Sequence, residues 1–119
     1  MTLDEVFDLP ERRLQILCAE GIGWKVTDLP RFYLWGIDPR QQYEGEVPMY
    51  PRSLDAMREA ETTIFRDPEL WAKYRAALDA LCAKVGLTDP VHARARIKCV
   101  AFVFVKQVAA VALTSLPAQ

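Results

Sequence analysis

One histidine and three cysteines are the residues of this chain best suited to nucleophilic or proton-transfer chemistry. His92 sits just inside an expected helix start, between Val91 and Ala93, where it could serve as a general base if a carboxylate lay nearby. A first-turn histidine standing alone is more commonly an ordinary surface residue, and that reading is preferred. Cys18, Cys82 and Cys99 form no close pair, and each lies among apolar neighbours ("ILCAE", "ALCAK", "KCVAF"). They read as reduced, buried thiols of a cytoplasmic protein, and no catalytic Cys/His signature accompanies them.

Other constellations are equally spare. Asp4, Glu5 and Asp8 could hold a cation weakly, but acidic residues at a helix start explain them more simply. The glycines of "EGIGWK" lack the spacing of a phosphate loop and read as a helix-ending turn. Arg94, Arg96 and Lys98 do not line up into a basic stripe on a helix, and with a net charge of −1 nucleic acid is not an expected partner. No metal or cofactor is expected, and the chain is read as a non-enzyme.

The unusual feature is the segment from Trp24 to Pro51, which carries two of the three tryptophans, three of the four tyrosines and four prolines. A segment so rich in turn formers cannot be one helix. It is longer than most connections, and long ordered connections are often binding surfaces. Arg31, Tyr33, Trp35, Arg40 and Tyr43 are the expected partner-binding residues, because Tyr, Trp and Arg dominate interface hot spots. The competing use is core packing, with Trp24, Phe32, Leu34 and Trp35 folding back over the helices. A short strand would reconcile the two by turning Phe32 and Leu34 inward and Arg31, Tyr33 and Trp35 outward.

Helices must frame this segment. Thr2 with Glu5 has the form of a capping box, and Asp8-Leu9-Pro10-Glu11 repeats a cap-and-proline start for a helix that Gly21 and Gly23 end. Ser53 caps a helix with Leu54, Met57, Ala60 and Ile64 on one face. Asp67, Pro68 and Glu69 open the clearest helix, whose stripe runs from Leu70 through Tyr74 and Leu81 to Val85 before Gly86. Asp89 and Pro90 open the last one. There "RARIKCVAFVFV" alternates as a strand would, but Ile97, Val100, Ala101, Phe104, Val108 and Val111 keep helical spacing, and a helix is expected.

The fold class is therefore mainly α: one domain over residues 1–119, a helical bundle of about four helices with a long aromatic loop or short β-ribbon, the alternative being α+β. The acidic start "MTLDEVFDLPERR" is unlike a signal peptide. The unbroken apolar run at 99–105 is too short to span a bilayer, and Lys106 follows it, so core rather than membrane is expected. Val100 to Leu113 could alternatively form a homo-oligomer interface.

Three blocks, "LPERRLQILCAEGIGW" (9–24), "VPMYPRSLDAMREAE" (47–61) and "ARIKCVAFVFV" (95–105), together resemble small bacteriophage and prophage proteins, including those grouped as the phage ABA sandwich domain. The corresponding residues are Gly23-Trp24, Pro48 and Tyr50, Ser53 to Glu61, and Arg96 with Phe102. The sandwich family has a β-hairpin between its second and last helices, whereas "DPELWAKYRAALDALCAKVG" here is a helix. The resemblance implies phage origin and an accessory role: binding a bacterial host protein, with inhibition of a host defence protein as one form. It carries over no catalytic residue.

Overall fold

The computed structural model describes residues 2–27, 34–40, 44–87 and 93–108. Helix α1 (Leu3–Phe7) opens on the expected capping box, with Thr2 and Glu5 exchanging bonds between side chain and backbone. Helix α2 (Glu11–Ile22) follows, then three short strands, β1 (Lys25–Thr27), β2 (Trp35–Ile37) and β3 (Glu44–Glu46). Helices α3 (Leu54–Thr62), α4 (Pro68–Val85) and α5 (Ala95–Val103) complete the order, and α5 runs into a π-helical turn at Phe104–Val108. The molecule is mainly helical with a small antiparallel sheet of order β1-β2-β3, as the caps and helical spacing around the aromatic segment lead one to expect.

Most helix ends obey local chemistry. Ser53 Oγ accepts from Ala56 N at 3.1 Å, and Asp67 Oδ1 accepts from Leu70 N at 3.1 Å with Pro68 in the first turn. Gly23 and Gly86 close α2 and α4 in the left-handed region, at φ 115° and 80°. Asp8 departs from expectation. It closes α1 instead of opening α2, because its N–H still reaches back to Asp4 and Val6 carbonyls and its backbone is helical rather than extended. Pro10 opens α2 without a side-chain cap.

Gly21 also lies inside α2 rather than ending it. A Cβ there would stand 3.3 Å from both Lys106 Cβ and Phe102 Cε1, so its missing side chain lets the end of α5 approach. Leu54, expected on the inward face of α3, is 53% exposed at the first turn, while Met57, Ala60 and Ile64 are fully buried.

Helix α5 is the centre of the packing. It contacts α1, α2, α3 and α4, and Ala95, Ile97, Cys99, Val100, Ala101, Phe102 and Val103 are all buried. A helix surrounded on all sides has no polar face, and this explains why its sequence carries strand-like residues without being a strand. Arg96 and Lys98, which read as an open basic pair, serve the fold: Arg96 Nη2 donates to the carbonyls of Phe7 and Leu9, both at 2.9 Å, and Lys98 stands 3.9 Å from Glu61. Cys18, Cys82 and Cys99 are buried and unbridged. Among the described residues, no helix is long and apolar enough to cross a membrane.

Candidate functional site: an aromatic ribbon and the cleft at its foot

The ribbon follows from period-2 alternation. Register pairs Thr27, Trp35 and Glu46 across the three strands, and Lys25, Ile37 and Glu44 beside them. These six residues share the outer face. Trp35 and Ile37 are half-buried at its centre, Lys25 flanks them on one side, and the exposed Glu44 and Glu46 flank them on the other. Leu34 and Gly36 turn inward and are buried, as the inward and outward split expected for Leu34 and Trp35 requires. Gly36 is there for space: a Cβ would lie 2.7 Å from the Lys25 carbonyl oxygen. Thr27 Oγ1 donates to the Trp35 carbonyl at 2.9 Å, and Val47 N to the Leu34 carbonyl at 2.9 Å, so short strands gain bonds beyond their ladder.

At the end of β2 the chain turns through Asp38, whose Oδ1 accepts from Arg40 N at 2.8 Å. The turn carries Arg40 towards Glu59 of α3, Nη1 to Oε2 being 3.7 Å. Beneath that exposed ion pair is a cleft of about 60 Å³ floored by Trp24 and Tyr50 and walled by Pro39, Pro48, Asp38 and Glu59. Its floor is built by long-range bonds. Trp24 Nε1 donates to Tyr50 Oη at 3.1 Å. The buried Gln15 amide donates to the Val47 and Pro48 carbonyls, both at 3.1 Å, and pins the strap that leads from β3 into α3. Arg52 then grips Glu11 through two N–H donors. Gly23 leaves room for Pro39, which would approach a Cβ to 3.3 Å.

The electrostatics do not favour proton transfer. Burial pushes the Tyr50 phenol well above its ordinary value; the charge of a Cys18 thiolate and those of Glu59 and Asp38 add to this, while the Trp24 bond opposes it. Tyr74, whose Oη donates to Glu61 at 2.8 Å, is raised chiefly by burial and then by the Glu61 charge. Both phenols stay neutral, and Tyr50 keeps an O–H to offer an acceptor while accepting from Trp24. No group of three or more His, Cys, Asp or Glu side chains comes together among the described residues.

Of the expected binding residues, Trp35 lies on the outer face of the ribbon and Arg40 on the rim of the cleft. Arg31, Tyr33 and Tyr43 lie outside the described residues, as does His92. The structure adds Trp24, Tyr50, Pro39, Pro48, Asp38 and Glu59 to the site. A signal for part of this was present: "GIGW" and "VPMYP" each place an aromatic ring beside residues that fix the backbone. No family model, curated protein or solved structure significantly matches the chain.

Proposed function

We propose that the chain is a non-enzymatic protein-binding module that uses the outer face of the ribbon together with the adjoining cleft. One observation carries the reading: Trp35 and Ile37 form an apolar centre held on a paired sheet, with Lys25 on one flank and Glu44 and Glu46 on the other. An aromatic centre within a charged rim is the usual anatomy of a protein interface, and a paired backbone lowers the ordering cost of binding. Arg40 supplies a further anchor beside the cleft. A phage-type accessory role in the bacterial cytoplasm, acting on a host protein and in one form inhibiting a defence protein, is the biological setting proposed with it; its support is the resemblance of blocks 9–24, 47–61 and 95–105. In the structure those blocks pack together, through the Gln15, Trp24–Tyr50 and Lys98–Glu61 contacts and through a Cys99 thiol that donates to the Leu14 carbonyl at 3.8 Å.

The alternative use, self-association through Val100 to Leu113, gains no surface from its first part. Val100, Ala101, Phe102, Val103 and Val105 are buried within the chain itself, and residues 109–113 lie outside the described residues. Capture from a bacterial lysate tests the proposal. Wild type should retain a discrete protein that Trp35→Ala and Arg40→Glu lose while keeping the wild-type circular dichroism. Equal capture by all three would remove the ribbon as the binding surface.

A further inference from the structure

A second concavity shares no residue with the ribbon or its cleft. It measures about 290 Å³ and is lined by Phe7, Val85, Leu87, Ile97, Arg94 and Arg96. Four of these residues are apolar and two are arginines. The basic groups come from the start of α5, and the apolar ones from α1, the end of α4 and α5.

Among the described residues, neither arginine has a carboxylate within ion-pair distance. Lys84 stands over the Phe7 ring, 4.8 Å from its centroid, and its charge is matched by Asp4 at 2.7 Å. Arg96 is anchored to the last carbonyls around α1 through Nη2, a contact that fixes its position without neutralising it. Arg94 is exposed and has no ion-pair partner among the described residues. Two cations therefore share the concavity with four apolar residues, among them Val85, 42% exposed. A pocket of this kind, mostly apolar with a few convergent polar groups, has the ordinary form of a small-molecule site.

The geometry points to a binding site for a small amphipathic carboxylate, with the head group between Arg94 and Arg96 and the apolar tail along Phe7, Val85, Leu87 and Ile97. Arginine suits the head group because its planar donors match a carboxylate in a bidentate fashion. The anchored Arg96 is pre-placed, and the exposed Arg94 can close on the ligand. A neutral molecule would leave the guanidinium groups unsatisfied, and a small anion without a tail would leave the apolar residues in water.

Titration of the intact chain with decanoate, followed by amide chemical shifts in two-dimensional NMR, tests this. Saturable shifts should cluster around Phe7, Val85, Leu87 and Ile97. Decanol should bind about tenfold more weakly, and Arg94→Gln should weaken decanoate by about tenfold while leaving decanol unchanged, the cost expected for removing a charged hydrogen-bonding partner. Acetate at the same concentration should give no saturable shift at these residues. Arg94→Gln should unfold at the wild-type urea midpoint, since Arg94 is exposed and has no ion-pair partner among the described residues. The proposal is overturned if decanoate shifts do not saturate or lie elsewhere, or if Arg94→Gln binds decanoate as wild type does. It is equally overturned if only vesicles of anionic phospholipid, and not monomeric decanoate, are bound.

Discussion

Trp24 and Tyr50, twenty-six residues apart in sequence, meet through an indole N–H and a phenol oxygen 3.1 Å apart. That bond joins the end of α2 to the strap entering α3, and the two rings become the floor of the cleft under Arg40 and Glu59. Both side chains are buried, so each polar group relies on the other for its bond.

Tyr50→Phe deletes the acceptor and strands the Trp24 N–H. Stability should fall by about 1–3 kcal/mol, the cost of leaving a buried donor unpaired. Urea unfolding should show a lower midpoint at unchanged slope. Trp24→Phe combined with Tyr50→Phe should cost less than the sum of the two single changes, because the second change no longer strands a partner.

Gly36 and Gly45 are register partners on neighbouring strands with opposite expectations. Gly36→Ala places a methyl group 2.7 Å from the Lys25 carbonyl oxygen and should destabilise by about 1–3 kcal/mol through backbone displacement. Gly45→Ala meets nothing within 4 Å and should be neutral, or stabilise by about 0.4–1 kcal/mol by restricting the unfolded chain. Thermal unfolding of the two variants compares them directly.

Alkaline pH should unfold the protein by a definable route. Burial raises Tyr50, Tyr74 and Cys18, the last also through its contact with Cys99. The folded state thus keeps protons that the unfolded chain releases. Their contribution is complete below the unfolded values and is lost as pH climbs from those values through the folded ones. Loss should begin near pH 8.5 for the thiol and near pH 10 for the phenols, with a slope approaching about 1.4 kcal/mol per pH unit for each group. Urea midpoints measured from pH 7 to pH 11 should fall in that order, and Tyr74→Phe should flatten the upper part of the curve.

The sequence made some of this architecture plain. Asp67-Pro68 and Gly86 bracket α4 because caps and breakers act within a turn or two of themselves. Gln15 was opaque, since nothing local says that its amide will meet carbonyls at positions 47 and 48. Helix α5 read ambiguously because a helix buried on all sides has no polar face to supply a period. Glu44-Gly45-Glu46 has none of the composition of a strand; its backbone is paired by β2, and Val47 extends that pairing. Asp8 misled because a residue suited to open one helix can as readily close the one before it. For the site, the residue types Trp35 and Arg40 were apparent from composition, whereas the Trp24–Tyr50 floor depends on which distant segments the core brings together.

The proposed function turns on the outer face of β2. Installing a photo-reactive benzoylphenylalanine at position 35, with a second variant carrying it at exposed Phe65 between α3 and α4, and irradiating bacterial cells gives the most direct measurement. A single adduct band formed from position 35, absent from position 65 and abolished by Arg40→Glu, is the predicted result. The same adducts from both positions, or none from position 35, would contradict the ribbon as the surface through which this chain acts.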